Sequence, residues 1–317
     1  MAPGGSDRVR CCFLGTGTFA VPILTALAAH PRVELAAIVT RPARPAGRGG
    51  RLRPSPVAER AGGLGAVLLT PPRLRSEDSV RTITDMAPEL LVLADYGQLV
   101  PKGLLSLPLH GALNLHPSLL PRHRGAAPIP ATILAGDTEA GTTLMLMDPG
   151  LDTGPIIAQR MLRLTGRETA PVLEARLSTL SAELLADSLG PWLDGRLTPH
   201  AQPPSGATLT RPLRREDGWL DPERTAVALE RQVRAFQPWP GSFLTSSHGR
   251  LVVWSAHVLS EVADTGRAPL ALPTAEGWLV LDEVQLPGGR RMPSEALMRG
   301  RPELRLVDRA THSHHRR

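Results

Sequence analysis

Short apolar runs alternate with segments of helical periodicity through the first two-thirds of this 317-residue chain. That alternation is typical of an α/β fold with a parallel sheet, in which a helix follows each buried strand and covers its face. The predicted strands are residues 9–14, 33–40, 66–69, 90–94, 111–115 and 142–147. Ser and Thr accept hydrogen bonds from the first turn of a helix, and the predicted N-caps are Ser55, Ser76 and Thr225.

The character of the chain changes after residue 196, which ends the first predicted domain. Residues 197–210 are rich in Pro, Ser and Gly and lack periodicity, so they are predicted to form a linker. Residues 211–310 are predicted to form a small β-barrel with one helix. Its predicted elements are a helix at 225–236 and strands at 243–246, 251–258 and 278–284, with a hairpin turn at 247–249. Residues 311–317 are predicted to be a disordered tail.

Composition excludes several classes of protein. No apolar run approaches the roughly 20 residues of a membrane-spanning helix, so no membrane association is expected. The first residues lack the basic-then-apolar order of a signal peptide. Cys11 and Cys12 are adjacent in a predicted strand and point to opposite faces, so neither a disulfide nor a metal site is expected. We therefore expect a cytoplasmic protein that needs no metal, with a monomer as the default.

Arginine carries nearly all of the basic charge, since Lys102 is the only lysine. Residues 41–53 hold five arginines and no acidic residue, in a segment rich in Pro and Gly. Arginines on a mobile loop are suited to contact a polyanion. The segment is therefore either a solvated basic loop or a loop that contacts phosphates.

An amide and an imidazole stand two residues apart in one predicted strand. Asn114 and His116 leave the same face of an extended chain, because side chains alternate along a strand. A glycine-bracketed turn after the strand at 142–147 carries Asp152. An amide donor, an ionisable imidazole and a carboxylate are groups suited to acyl transfer. Taken singly, His116 and Asn114 are better explained as a loop histidine with a capping asparagine.

A different class of function is suggested by the turn at residues 15–20. It follows a strand, opens a helix and satisfies the G-x-G-x-x-A pattern of dinucleotide-binding domains. Arg41, rather than an acidic residue, follows the second strand, which would favour NADP. An NADP-binding oxidoreductase is thus an alternative, although it gives Asn114, His116 and Asp152 no joint task. A tight βα turn without a ligand also explains the pattern.

An ordered set of motifs matches a known family. The chain reads Asn-x-His-x-Ser-Leu-Leu-Pro-x-x-Arg-Gly from Asn114 and Gly-Leu-Asp-Thr-Gly from Gly150. It also reads Phe-Leu-Gly-Thr from Phe13, Arg-Pro-Ala-Gly-Arg-Gly from Arg44 and Arg-Ala-Phe-Gln-Pro-Trp-Pro from Arg234. With these motifs, spread over both halves, the chain resembles the folate-dependent formyltransferases.

That resemblance implies a Rossmann-like formyltransferase domain at 1–196 and an OB-like tRNA-binding domain at 211–310. The chain is most similar to the family members that act on methionyl-tRNA. This implies transfer of a formyl group from the co-substrate 10-formyltetrahydrofolate to the amine of methionine on initiator tRNA. Asn114 would orient the formyl oxygen and His116, if protonated, would stabilise the oxyanion. Asp152 would orient His116 and help to remove the ammonium proton, through water.

The resemblance also implies binding residues. The folate candidates are Tyr96, Gly97, Gln98, Leu99, Ser118, Met147, Asp148 and Gly150. The tRNA candidates are Arg41, Arg44, Arg48, Arg51, Arg290 and Arg291. Two departures from the family pattern affect the folate loops. Asp95 replaces a small apolar residue before Tyr-Gly, and Pro149 removes a backbone N–H from the second loop.

The polar trio alone does not identify the amine. Relatives with the same trio act on glycinamide ribonucleotide or on amino sugars, so an amino-sugar formyltransferase is an alternative. The basic segment and the second domain favour tRNA. A tRNA-binding protein without catalysis is disfavoured, because the complete trio is present.

Overall fold

The computed structural model describes residues 8–46, 50–261 and 270–307. Arg48 and the predicted tail at 311–317 lie outside the described residues. The described chain forms two compact units. The sheet unit comprises the chain up to Pro128, Glu139–Arg163 and Glu174–Arg211. The barrel unit comprises Ile129–Thr138, Leu164–Leu173 and the chain from Pro212 onward.

Eleven strands and six helices precede residue 211 in the described chain. The strands are β1 (Val9–Gly15), β2 (Val33–Val39), β3 (Arg44–Ala46), β4 (Arg51–Arg53), β5 (Val67–Leu69), β6 (Leu90–Ala94), β7 (Ala112–His116), β8 (Arg124–Gly125), β9 (Glu139–Leu146), β10 (Ile156–Arg163) and β11 (Leu209–Thr210). The helices are α1 (Ala20–Ala29), α2 (Pro56–Ala61), α3 (Glu77–Asp85), α4 (Lys102–Leu105), α5 (Pro128–Ala135) and α6 (Ala170–Leu193).

Seven of these strands form one sheet, in the order β10-β9-β7-β6-β1-β2-β5. The five strands from β7 to β5 are parallel, and β9 and β10 extend the sheet antiparallel to their neighbours. The chain runs outward from β1 to β5 and then returns to β6 on the other side of β1. This order confirms the predicted α/β fold and is Rossmann-like, with loops gathered where the strand order reverses. Cys11 and Cys12 are free thiols fully buried in β1.

The three predicted N-caps are confirmed. Each side-chain oxygen accepts a hydrogen bond from the backbone N–H three residues later, at 3.0 Å for Ser55, 3.4 Å for Ser76 and 3.2 Å for Thr225. These bonds satisfy N–H groups that a helix cannot pair within itself. The local pattern of the sequence therefore fixes where α2, α3 and the helix after Thr225 begin.

From Pro212 onward, the described part of the barrel unit is a nearly closed antiparallel barrel with two α-helices. Its elements are α7 (Ala226–Ala235), β12 (Ser242–Ser246), β13 (Gly249–Leu259), β14 (Ala271–Pro273), β15 (Trp278–Gln285), β16 (Met292–Pro293), α8 (Ser294–Gly300) and β17 (Leu306–Val307). The strand order is β14-β15-β13-β12-β17, with β16 on β15. The predicted helix and the three predicted strands are confirmed. Ser246 pairs with Gly249, which confirms the hairpin.

Two segments without predicted structure are paired in the sheet unit. In the basic segment, β3 and β4 form an antiparallel hairpin, with Arg44 opposite Arg53. Within residues 197–210, His200 bridges to Ile156 and β11 pairs in parallel with β8. Over the part of the chain that the structure describes, no helix is both long enough and apolar enough to cross a membrane.

Candidate active site

Asn114 and His116 lie on one face of β7, as their spacing predicts. Both are buried, with exposed fractions of 6% and 4%. β7 pairs with β6 on one side and with β9 on the other, so the sheet fixes the positions of both residues. The loop between β9 and β10 brings Asp152 to the same place. The three residues predicted to be catalytic therefore form one cluster.

The Asp152 carboxylate is the centre of this cluster. Its Oδ1 accepts a hydrogen bond from Asn114 Nδ2 at 3.4 Å. Its Oδ2 accepts a hydrogen bond from the backbone N–H of Gly125 at 2.8 Å and lies 3.6 Å from His116 Nδ1. The last separation exceeds an ordinary hydrogen bond. The imidazole and the carboxylate therefore face each other within ion-pair distance without forming a hydrogen bond.

The His116 ring is oriented by its other nitrogen. His116 Nε2 lies 3.0 Å from the backbone carbonyl oxygen of His123. Because a carbonyl only accepts, Nε2 carries a hydrogen, and Nδ1 faces Asp152. Burial lowers the pKa of His116, while Asp152 and the hydrogen bond to the His123 carbonyl oppose that shift. The charge on His116 therefore depends on the Asp152 carboxylate staying in place.

The loop that carries Asp152 is held in an uncommon conformation. The backbone φ angle of Asp152 is 53°, which lies in the left-handed region. Few residues other than glycine adopt this region. The Asp148 carboxylate accepts hydrogen bonds from the Gly150 N–H at 3.0 Å and from the Thr153 hydroxyl at 2.8 Å. A Cβ built on Gly154 would lie 1.9 Å from the Leu146 carbonyl oxygen. Gly154 is therefore required by the backbone path of the turn.

Three polar residues that support the cluster were not predicted from the sequence. They are Gln202, Thr208 and Thr210, which contact the loops around Asp152 and His123. Their partners lie roughly 50 to 86 residues away in the sequence. Only the composition of the segment was visible in the sequence, and Pro, Ser and Gly indicate a loop without indicating what it contacts.

The loop at 96–99, which is predicted to bind folate, has both buried and exposed members. The Tyr96 ring lies in the core, its hydroxyl has no partner among the described residues, and burial raises its pKa to about 12. Gln98 Oε1 accepts the Leu74 N–H at 2.8 Å. Gly97 has φ 79, and Leu99 is 69% exposed. The parts of this loop open to a ligand are therefore its backbone and Leu99.

The remaining folate candidates lie around the second loop and after β7. Met147 packs against the sheet core, and its N–H bonds to the Ala112 carbonyl at 2.7 Å. Asp148 and Gly150 bond to each other as described above. Ser118 is buried, and its hydroxyl donates to the Arg122 carbonyl at 2.7 Å. The Ser118 contact is one that closes the loop after β7.

The tRNA candidates fall into two groups. Arg44 and Arg51 are exposed on the β3–β4 hairpin, and Arg41 precedes it, partly buried. In the barrel unit, Arg290 is exposed, and Arg291 pairs with a glutamate of β15 and lies over the Trp254 ring at 5.4 Å. These arginines do not belong to the catalytic cluster.

Asp95 directly follows β6 in the chain, and its carboxylate lies beside the turn between β1 and α1. Its carboxylate accepts a hydrogen bond from the Gly17 N–H, and a Cβ on Gly17 would lie 1.9 Å from Asp95 Oδ2. Next to it, the Thr18 hydroxyl donates to Glu174. Burial raises the pKa of Asp95 to about 6, Glu174 adds to the shift, and the Gly17 N–H and Arg41 oppose it. Two carboxylates thus occupy the N-terminal end of α1.

Comparisons with known proteins agree with this architecture. The formyl transferase family model matches residues 9–189, and the model of the formyl transferase C-terminal domain matches residues 212–302. Methionyl-tRNA formyltransferase of Thermus thermophilus is 42% identical over 300 residues, 92% of this chain and 96% of the relative. The enzyme of the same name from Myxococcus xanthus is 40% identical, over 93% of this chain and 96% of the relative.

Solved structures share the fold. HypX from Aquifex aeolicus in complex with tetrahydrofolic acid has a TM-score of 0.61 at 15% identity, covering 92% of this chain and 47% of that chain. Methionyl-tRNA formyltransferase from Clostridium thermocellum has a TM-score of 0.54 at 16% identity, covering 88% of this chain and 98% of that chain. Because the family model spans the cluster of Asn114, His116 and Asp152, and the sequence relatives match nearly from end to end, this chain belongs to the formyltransferase family.

Proposed function

We propose that this chain transfers a formyl group from 10-formyltetrahydrofolate to the free amine of methionine on initiator methionyl-tRNA, and so supports translation initiation. The observation that carries the proposal is the buried cluster of Asn114, His116 and Asp152, whose groups match the needs of formyl transfer. Relatives named methionyl-tRNA formyltransferase, about 40% identical over nearly the whole chain, support the choice of acceptor.

The reaction forms one bond and breaks another. The amine nitrogen attacks the formyl carbon, the carbonyl oxygen becomes an oxyanion, and the bond from carbon to folate N10 then breaks. The ammonium must first lose one proton to become a nucleophile. After attack the same nitrogen must lose a second proton, which passes to N10 as that group leaves. The groups required are therefore a donor for the oxygen, a cation for the oxyanion and a base for the amine.

Each residue of the cluster has a role that its contacts support. One N–H of Asn114 reaches Asp152, which leaves the other to orient the formyl oxygen. When it is protonated at Nδ1 beside Asp152, His116 stabilises the oxyanion. Asp152 orients His116 and accepts the ammonium proton, through water. The hydrogen bond from Gly125 keeps the Asp152 carboxylate turned toward both substrates.

The folate is proposed to bind against the loops at 96–99 and 147–150. A pterin offers a flat ring and a donor–acceptor edge, which suit backbone groups beside apolar side chains. Leu99 lies on the first of these loops and Leu151 directly follows the second, and the two side chains are 69% and 53% exposed. A bound pterin would cover both leucines. We assign Ser118 to the structure of the loop after β7 rather than to folate binding, because its hydroxyl already donates to the Arg122 carbonyl.

The hairpin is proposed to contact tRNA phosphates. Arg44 and Arg51 are exposed, and among the described residues neither forms an ion pair with a carboxylate. Arg41 and Arg48 belong to the same basic run, and Arg290 and Arg291 would add backbone contacts from the barrel unit. Phosphate contacts position a nucleic acid without selecting its sequence. We propose a monomer in the cytoplasm, where initiator tRNA is available.

An amino-sugar acceptor is the second candidate. The N-formyltransferase from Helicobacter canadensis, solved with folinic acid and dTDP-3-aminofucose, has a TM-score of 0.59 at 14% identity over 90% of this chain and 100% of that chain. That likeness concerns the fold. The basic hairpin and the more similar tRNA-acting relatives favour tRNA.

The dinucleotide-binding alternative is opposed by charge at the β1–α1 turn. In that fold a pyrophosphate binds the N–H groups at the N-terminus of the helix. Here Asp95 accepts the Gly17 N–H, and Glu174 accepts the Thr18 hydroxyl. Two carboxylates facing the turn repel a pyrophosphate. We therefore assign the glycine-rich turn to packing.

The decisive experiment supplies 10-formyltetrahydrofolate with methionyl-initiator tRNA, methionyl-elongator tRNA or a nucleotide-linked amino sugar. We expect formylmethionine on initiator tRNA and much slower reaction with the other two acceptors. Product on the sugar alone would establish the second candidate. A calorimetric titration with NADPH, expected to show no binding, tests the oxidoreductase.

A further inference from the structure

Gln202 bridges Arg124 of β8 and the turn at 152–154 that carries Asp152, although the sequence predicts only a linker there. The Arg124 guanidinium donates to Gln202 Oε1 from Nε at 2.9 Å and from Nη2 at 2.7 Å. Gln202 Nε2 donates to the backbone oxygens of Asp152 and Gly154, both at 2.8 Å. A guanidinium only donates, so it fixes Oε1 on its own side and turns both amide hydrogens toward the loop.

The loop needs such support because of its backbone. Asp152 is in the left-handed region, and a residue held there depends on its surroundings to stay there. A change in its backbone would swing the carboxylate away from His116 Nδ1, which is already 3.6 Å distant. Gln202 bonds the carbonyl of Asp152 itself and the carbonyl two residues later. It therefore resists rotation at both ends of this short turn.

The same segment fixes the other side of the cluster. Thr208 Oγ1 accepts the His123 N–H at 2.8 Å, and the Thr210 hydroxyl donates to the Arg124 carbonyl at 3.0 Å. The chain held in this way presents the His123 carbonyl to His116 and the Gly125 N–H to Asp152. One segment thus supports the orientation of both the imidazole and the carboxylate.

We infer that Gln202 is a positioning residue for formyl transfer, which holds the Asp152 carboxylate against His116 through the backbone of the 152–154 turn. The inference rests on the proposed function and on the role proposed there for Asp152. Gln202 itself does not touch the reacting atoms. Its loss is therefore expected to slow the chemical step while both substrates still bind.

Two substitutions separate the two sides of the carboxamide. In Gln202→Glu, an oxygen still faces Arg124, but no N–H remains for the two carbonyls, which now face a carboxylate oxygen. In Gln202→Met, both sets of hydrogen bonds are lost while the side chain keeps a similar size. If the bonds to Asp152 and Gly154 matter, Glu is no better than Met. If the contact with Arg124 alone matters, Glu restores the rate.

The barrel unit offers a matched control. Gln232 Oε1 accepts from the Arg224 guanidinium at 2.5 Å, and its Nε2 donates to the backbone oxygens of Asp217 at 3.2 Å and Trp219 at 2.9 Å. Gln232 thus has the same kinds of hydrogen-bond partners as Gln202, and it is more deeply buried, with 1% of the residue exposed. Gln232→Glu is therefore expected to lower Tm at least as much as Gln202→Glu without touching the cluster.

The measurement is the single-turnover rate of formyl transfer at saturating 10-formyltetrahydrofolate and methionyl-initiator tRNA, well below the Tm of every variant. We expect a 10–100-fold slower rate for Gln202→Glu and Gln202→Met. We also expect the affinity of both variants for tRNA to be nearly unchanged. Each variant should still bind one folate analogue per chain. Gln232→Glu should react within about twofold of wild type.

The outcomes distinguish failure of the positioning role of Gln202 from failure of the proposed function. A wild-type rate for Gln202→Met would overturn the positioning role and leave the proposed function intact. Restoration by Glu, or an equal loss of rate in Gln232→Glu, would likewise assign Gln202 to general stability or to Arg124. Absence of formylmethionine with the wild-type protein would overturn the proposed function, and the positioning role with it.

Discussion

The cluster on β7 and the β3–β4 hairpin both gather polar side chains, in opposite environments. In the cluster, Asn114 and His116 are buried and bonded within the sheet unit. On the hairpin, Arg44 and Arg51 are exposed. Buried, oriented groups act strongly on charge that develops in a transition state. Exposed charges are screened by salt and act on a polyanion as it arrives. The two regions are thus suited to different steps, chemistry and capture.

The largest expected effect comes from removing the imidazole of the cluster. His116→Ala should lower the rate of formyl transfer by about 100- to 1,000-fold, the usual cost of losing one group that stabilises an oxyanion. Affinity for tRNA and for a folate analogue should change little, because the role of His116 is in the transition state. Single-turnover kinetics with independent binding measurements test this. A variant that keeps its rate and loses affinity would make His116 a binding residue.

A second histidine–aspartate pair provides the control for that experiment. His257 Nδ1 lies 2.8 Å from Asp282 Oδ1 in the barrel unit, where the pair is exposed. His257→Ala should leave the single-turnover rate near wild type. Combining His116→Ala with Asp152→Ala should cost much less than the product of the two single losses, because both residues act on one intermediate.

The next effect concerns the stability of the backbone beside the cluster. Gly125 has φ 106, and a Cβ there would lie 2.3 Å from the Thr210 carbonyl oxygen. Gly125→Ala should lower the free energy of unfolding by about 2–4 kcal/mol, from backbone strain and the clash together. Urea unfolding measures it. Gly65→Ala is the control, since Gly65 has φ 73 with nothing within 4 Å of the added carbon. Equal losses would show that the contact with Thr210 is unimportant.

The sequence predicts a structural feature correctly where the contacts that determine it are local. The caps at Ser55, Ser76 and Thr225 bond to N–H groups three residues away, so residue type and spacing predict them. The placement of Asn114 and His116 on one face follows from the alternation of a strand. Such features are decided within a few residues of chain.

The rest depended on contacts that the local pattern does not contain. β11 pairs with β8 across more than 80 residues, so its Pro- and Gly-rich segment indicated only a linker. Asp152 was expected at the end of a strand adjacent to that of Asn114 and His116, but local spacing does not determine which strands are neighbours in the sheet. The G-x-G-x-x-A pattern gave no sign that Asp95, far along the chain, would occupy the Gly17 N–H. Pairing partners are set by the tertiary fold, which competes with and overrides local preference.

A smaller effect is expected at the hairpin. Arg44→Ala combined with Arg51→Ala should weaken tRNA binding, and each lost phosphate contact should lower the slope of log affinity against log salt by about 0.9. Folate binding and Tm should barely change, because both side chains are exposed. tRNA affinity across a salt series is the measurement. Arg81→Ala removes an exposed arginine of α3 that pairs with Asp78 and serves as the control. The same slope for all three proteins would make the hairpin a solvated loop.

The smallest effect concerns Asp95, which is intermediate between the two regions because part of the residue is exposed while its carboxylate bonds to Gly17. Its pKa is raised from 3.8 to about 6. A carboxyl group with a raised pKa is protonated more readily in the folded chain than in the unfolded one. Ionisation therefore lowers stability as pH rises from about 4 to about 6, and the full cost persists above pH 6.

Asp95→Asn removes that cost and keeps a side chain that tolerates φ 46. The variant should be more stable than wild type above pH 6, by roughly 1–3 °C in Tm, a small gain because solvent screens a partly exposed carboxylate. The difference should shrink as pH falls through 6 and vanish near pH 4. Thermal unfolding across pH 4–8 measures it, with Asp78→Asn on exposed α3 as a control that should show no such trend. An equal Tm difference at pH 4 and pH 8 would show that the carboxylate charge at the β1–α1 turn carries no cost. The electrostatic contrast between the buried cluster and the exposed hairpin would then not extend to this turn.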